Sequence, residues 1–129
     1  MSSTPVQRQS RVVWFEIPTA DFDRAAAFYE RILAVTLQKA DFGPDKIGVF
    51  PYTEPAVSGC IVKGDRYRPG PDASVVYLNA DPALDEVLAR VEPAGGQVVL
   101  PRTALPEGMG YYAHIRDTEG NRVGLHAVS

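Results

Sequence analysis

One pattern constrains this chain more than any other: it reads twice. Val12-Val13-Trp14-Phe15-Glu16-Ile17 is a β-branched and aromatic run, ended by Pro18 and Thr19. Asp21 then opens a helical pattern in which Phe22, Ala25, Ala26, Tyr29, Ile32 and Leu33 recur on one face. Sixty positions on, the order returns: Asp21 is matched by Asp81 and Trp14 by Ser74. Ser74-Val75-Val76-Tyr77-Leu78 reads as a strand. Asp81-Pro82 reads as a helix start, with Asp as N-cap and Pro in the first turn. Leu84, Val87, Leu88 and Val91 form the second apolar stripe, stopped by Pro93 and Gly95-Gly96.

The segments after the two helices make the repeat specific. Three short strand candidates succeed the first helix, near residues 36–39, 46–50 and 59–62, and three succeed the second, near 97–100, 110–116 and 122–127. The stretch 66–72, with Gly70 between Pro69 and Pro71, reads as the connection between halves. The expected fold class is α+β: two βαβββ modules, about 11–65 and about 73–128, in a single domain over 11–129. Each sheet buries one face under its helix. Set edge to edge, the modules are expected to form a curved mixed sheet with helices on the convex side and a concave cup, a natural ligand pocket. Residues 1–10 are polar and are expected to be a flexible lead-in.

Composition narrows the function classes. The net charge of −3 gives no basic field for nucleic acid or for an anionic membrane. No apolar run approaches the roughly 20 residues that span a bilayer. Cys60 is the single cysteine, so no internal disulfide and no thiolate zinc cluster can form. It reads as a small buried hydrophobe in a cytoplasmic protein.

Particular residues carry a family likeness. Ile17-Pro18 followed by Asp21-Phe22-Asp23-Arg24-Ala25-Ala26-Ala27-Phe28-Tyr29 resembles the first strand and helix of the vicinal oxygen chelate superfamily, the glyoxalase/bleomycin-resistance proteins. Ala94-Gly95-Gly96 and the run from Arg116 through Asp117-Thr118-Glu119-Gly120-Asn121 to Leu125 are similar to that superfamily's second half. The resemblance runs from about Arg11 to Ala127. It implies a fold that hosts lyases, isomerases, dioxygenases, antibiotic-modifying enzymes and plain drug-binding proteins. It also implies a divalent metal held by His, Gln or Glu from the first strand of each half and by Glu from the last strand. Here those positions hold Trp14, Ser74 and Gly124. Indole and glycine cannot ligate a divalent ion and serine does so poorly, so no metal and no other cofactor is expected.

If position 14 faces the cup, strand alternation puts Glu16 there too, with Ser74 and Val76 on the fifth strand and Arg122, Gly124 and His126 on the last. Tyr112 and His114 are the expected inward residues of the strand before it. Glu16 and His126 are the catalytic candidates, for proton transfer without a metal. Trp14, Ser74, Tyr112, His114 and Arg122 are the substrate-binding candidates: Trp14 to stack on a flat molecule and Arg122 to hold an oxyanion. The stretch Pro101–Gly110 is a candidate flap, with Arg102, Leu105 and Met109 able to close over a ligand.

Two functions of different class stay open on this reading. One is a metal-independent lyase or isomerase acting on a small organic molecule. The other is a non-catalytic protein that sequesters a drug or metabolite. Metal-dependent lactoylglutathione lyase or dioxygenase chemistry ranks below both. The resemblance further implies a homodimer, and the partners expected are a small-molecule ligand and a second copy, with neither nucleic acid nor membrane.

Overall fold

The computed structural model describes residues 10–129. Apart from Ser10, the lead-in expected over 1–10 lies outside the described residues. The order of elements is that of a doubled βαβββ unit. The first half comprises β1 (Glu16–Pro18), α1 (Phe22–Leu33), β2 (Gln38–Phe42), β3 (Asp45–Val49) and β4 (Cys60–Lys63). The second comprises β5 (Tyr77–Asn79), α2 (Leu84–Val91), β6 (Gln97–Ala104), β7 (Tyr111–Arg116) and β8 (Arg122–Ala127), with a 3-10 turn at Pro106–Gly108.

Each half makes its own four-stranded mixed sheet, in the orders β1-β4-β3-β2 and β5-β8-β7-β6. In both, the first strand lies parallel to the last and the rest are antiparallel. Among the described residues no strand pairing joins the two sheets. The α+β fold of two βαβββ modules is thus present, each module supplying its own sheet and the two joined through helices and turns rather than by strand pairing. The reason lies in the core. Phe22, Ala25, Phe28, Tyr29 and Ile32 of α1 and Leu84, Val87 and Val91 of α2 share one buried cluster with Ile17 and Ile61 of the first sheet. Leu78, Ala113, Ile115, Val123 and Leu125 of the second sheet belong to the same cluster.

The equivalence of the halves is visible in their hydrogen bonds. Thr19 N donates to Val62 O at 2.8 Å, and Ala80 N to His126 O at 2.7 Å. Cys60 N donates to Phe15 O, and Gly124 N to Val76 O. These pairs equate Glu16 with Tyr77 and Cys60 with Gly124. The offset between the first strands of the halves is thus 61, not the 60 read between aspartates, and between their last strands it is 64. The helix starts explain the slip. Asp21 caps α1, its carboxylate accepting from Arg24 N at 3.0 Å. Asp81 does not cap α2. Its carboxylate accepts from Val128 N instead, Ala83 occupies the N-cap position without a side-chain bond, and the C-terminal Ser129 carbonyl accepts from Leu84 N. Pro82 accordingly precedes the helix rather than starting it.

The β7–β8 turn ties the halves together. The Glu119 carboxylate accepts from Ala20 N and Asp21 N at 2.9 and 2.7 Å and pairs with Arg24 at 2.8 Å. Burial alone would raise this carboxyl. The donors from Arg24, Asp21, Thr118 and Ala20 outweigh it and hold the group at about 2. Asp117 accepts from the buried Tyr29 hydroxyl at 2.6 Å and from Asn121 N. Asn121 in turn donates to Pro18 O and accepts from Gly70 N. The sequence run that carries the family likeness is therefore mainly a clamp between modules.

Candidate ligand-binding site

Alternation along β7 and β8 divides their side chains cleanly. Ala113, Ile115, Val123, Leu125 and Ala127 are buried in the core. Tyr112, His114, Arg122 and His126 are half-buried on the face turned away from the helices. The register sets Tyr112 opposite His126 and His114 opposite Gly124. Tyr77, the first residue of β5, lies beside Gly124 on the same face.

Gly124 is what lets Tyr77 settle there. A Cβ at this position would collide with the Tyr77 ring, so the ring lies across bare backbone. The result is an aromatic cluster. The Tyr77 and Tyr112 rings are 6.2 Å apart, and each packs against the His114 ring, at 5.4 and 5.8 Å. Tyr77, Tyr112, His126 and Leu105 line an open hollow of about 420 Å³. His126 Nε2 donates to the Met109 carbonyl at 2.7 Å, which places a proton on that nitrogen. The Gly110 backbone holds φ at +91° against Ala127, so the 105–110 turn is pressed onto the end of β8.

His114 bridges two groups. Its Nε2 is 2.6 Å from the Tyr77 hydroxyl and its Nδ1 is 3.1 Å from Arg122 Nη1. Burial first, and the Arg122 charge second, hold its pKa below 6.5.

The other candidates are placed elsewhere. Glu16 is exposed on the first sheet and accepts from the Tyr67 hydroxyl at 3.1 Å. With Ser74, Arg68 and Arg122 it lines a second, smaller hollow of about 190 Å³. Glu16 and His126 are thus not brought into one site. Ser74 is exposed and precedes β5, so the strand phase read from it is displaced by one: Tyr77 and Asn79, not Val76, share the face of His126. Trp14 precedes β1, is 40% exposed and sets its ring edge toward Tyr52 at 6.4 Å. It lines neither hollow.

Of the flap residues, Leu105 reaches the larger hollow and Met109 supplies the carbonyl bound by His126. Arg102 instead lies within β6, pairs with Asp85 at 3.0 Å and stacks on Tyr111 at 3.9 Å. Cys60 is buried, and burial followed by the nearby Glu16 carboxylate pushes its thiol up to about 11, which leaves it unreactive.

Alternation counted from Ser74 passes over Tyr77. A signal for it is nonetheless present in the sequence, since a glycine inside a strand often marks the close approach of another group.

The chain belongs to the Glyoxalase/Bleomycin resistance protein/Dioxygenase superfamily, whose family model matches residues 11–125. A curated relative, the putative glyoxylase CFP32 of Mycobacterium bovis, is 29% identical over 122 residues, 93% of this chain. The match covers 45% of the relative, so the chain spans about half the length of the curated proteins it matches. Among solved structures, the antibiotic binding protein TnmS3 from Streptomyces superposes with a TM-score of 0.71 at 23% identity, covering 96% of this chain and all of that one. The fosfomycin resistance protein FosX from Listeria monocytogenes gives 0.65 at 17% identity, covering 93% and 94%.

A divalent metal, used by many enzymes of this superfamily, does not fit the matching positions of this chain. Gly124 offers no donor atom, and the space a carboxylate would need there is filled by the Tyr77 ring. Trp14 turns toward Tyr52, and Ser74 stands outside the strand. Among the described residues no group of three His, Cys, Asp or Glu side chains is disposed to hold an ion elsewhere. Nor is any described helix long and apolar enough to cross a membrane.

Proposed function

We propose that this protein is a binding module that captures a flat aromatic small molecule in the hollow over the second sheet and releases it unchanged. The observation that carries this reading is the Tyr77–Tyr112–His114 cluster lying over Gly124, with His126 and Leu105 at its rim. Aromatic faces with few polar groups suit a planar ligand, held by stacking and oriented by one or two hydrogen bonds. Binding is preferred over proton-transfer catalysis because Glu16 and His126, the groups suited to acid–base work, stand in different hollows. The antibiotic-binding and fosfomycin-resistance relatives support a small-molecule role for this fold.

A homodimer belongs to the same reading. The hollow is open on one side, and exposed Val12, Val13, Tyr52 and Val57 offer apolar surface for a second copy.

Calorimetric titration with planar aryl compounds, followed by mass spectrometry of the recovered compound, tests this. Saturable binding with unaltered ligand is the expected result. Conversion of the bound compound, undiminished in a Tyr77→Ala, Tyr112→Ala double variant, would overturn it.

A further inference from the structure

The bond between His114 and Arg122 has a consequence for Tyr77. A guanidinium group only donates hydrogen bonds, so the His114 Nδ1 atom, 3.1 Å from Arg122 Nη1, must accept. A neutral imidazole carries one proton, which is thereby confined to Nε2. The group 2.6 Å from Nε2 is the Tyr77 hydroxyl, so it accepts from His114. Its own proton cannot also lie on that line. The Tyr77 side of this contact is half-exposed, at 50%, and the ring lines the hollow. His114 stays neutral at pH 7, because burial and the Arg122 charge oppose a second proton.

We infer that Arg122 and His114 are positioning residues that turn Tyr77 into a directed hydrogen-bond donor, so that the hollow selects aromatic ligands bearing an acceptor oxygen, such as an aryl carbonyl or phenolate. The chain Arg122→His114→Tyr77→ligand runs in one direction, with every donor followed by an acceptor. The positive charge at its far end polarises each bond toward the ligand and favours oxygens that carry negative charge. The other polar atom at the rim does not compete. The proton of His126 Nε2 is spent on the Met109 carbonyl and is not offered to the ligand. An aryl ammonium group, which only donates, cannot take up the Tyr77 proton. The inference rests on the aromatic-binding reading and adds to it the polarity of the ligand.

Two matched pairs of probes separate the two ideas: acetophenone with isopropylbenzene, and 2-acetylnaphthalene with 2-isopropylnaphthalene. Within each pair only the acceptor oxygen differs in kind. Calorimetry on the intact protein should show the ketone bound about five- to tenfold more tightly than its hydrocarbon. Tyr77→Phe should erase that preference and leave hydrocarbon affinity in place. Arg122→Met should lower it too, because it frees Nδ1 to take the proton and Tyr77 to donate to His114. Nitrogen NMR of His114 gives a readout that a merely structural role would not move: proton on Nε2 in the parent, shifted toward Nδ1 in Arg122→Met. Ketone and hydrocarbon binding equally, or a proton on Nδ1 in the parent, overturns the inference while the aromatic reading stands. Binding of none of the four probes overturns both.

Discussion

The two sheets share one topology yet present different faces to the outside. At equivalent positions the first sheet carries Glu16 beside Cys60, and the second carries Tyr77 beside Gly124. On the first, Cys60 and its neighbour Val62 are buried and the carboxylate of Glu16 leans on Tyr67. On the second, the missing side chain at Gly124 lets a tyrosine lie flat, and the strands alongside add Tyr112, His114 and His126. A duplicated unit therefore needs to change few positions to give one half a carboxylate-bearing face and the other an aromatic one. Where the family places a carboxylate for a metal, this chain has no side chain at all, and an aromatic ring fills the space.

The sharpest way to break that comparison is to close the gap. Gly124→Val forces a branched side chain into the Tyr77 ring. It should abolish aryl binding in calorimetry and lower stability by about 1–3 kcal/mol in urea denaturation. The mirror change, Cys60→Ala, should leave binding intact and register only as a small core loss.

Next in size is the clamp. Glu119→Gln removes a carboxylate that holds two backbone amides and Arg24. Because its folded pKa of about 2 lies below the ordinary 4.5, the unfolded chain takes up the proton first. Its contribution is fully present above the ordinary value and is lost as pH falls toward 2. After allowing for the half-exposed Arg24, that contribution is about 2 kcal/mol. Denaturation midpoints across this window should fall in the parent and stay flatter in Glu119→Gln. Binding at pH 7 should persist in the variant at temperatures where it remains folded.

Smaller again is Tyr112→Leu, which keeps apolar area but removes one ring of the cluster. Aryl affinity should fall by about five- to tenfold. Smallest is Glu16→Gln, on the other sheet. Aryl affinity within about twofold of the parent is expected, since one hydrogen bond to Tyr67 lies outside the larger hollow.

These contrasts also mark how much the sequence could reveal. Helix α1 was legible because Asp21 caps it and its apolar stripe has no competing assignment. The last strand was legible because Val123, Leu125 and Ala127 alternate with residues that face outward. Helix α2 starts later than Asp81-Pro82 suggests, since that aspartate is drawn to Val128, 47 residues away, by tertiary contact alone. The same displacement carried the strand phase with it, pointing at Ser74 and Val76 in place of Tyr77. Glu119 reaches Ala20 across 99 residues, and no local pattern announces such a bond. Candidates taken from the register of β7 and β8 fall on one face, whereas Trp14, Glu16 and Ser74, placed by counting from a helix, fall outside the larger hollow.

The central claim is that the second sheet's outer face is where a planar ligand rests. Amide and side-chain NMR shifts followed during titration with 2-acetylnaphthalene test it most directly. Perturbations centred on Tyr77, Leu105, Tyr112 and His126, with Trp14 and Glu16 unmoved, are the predicted result. Perturbations centred on Glu16, Arg68 and Ser74, with the Tyr77 and Tyr112 rings silent, would contradict it.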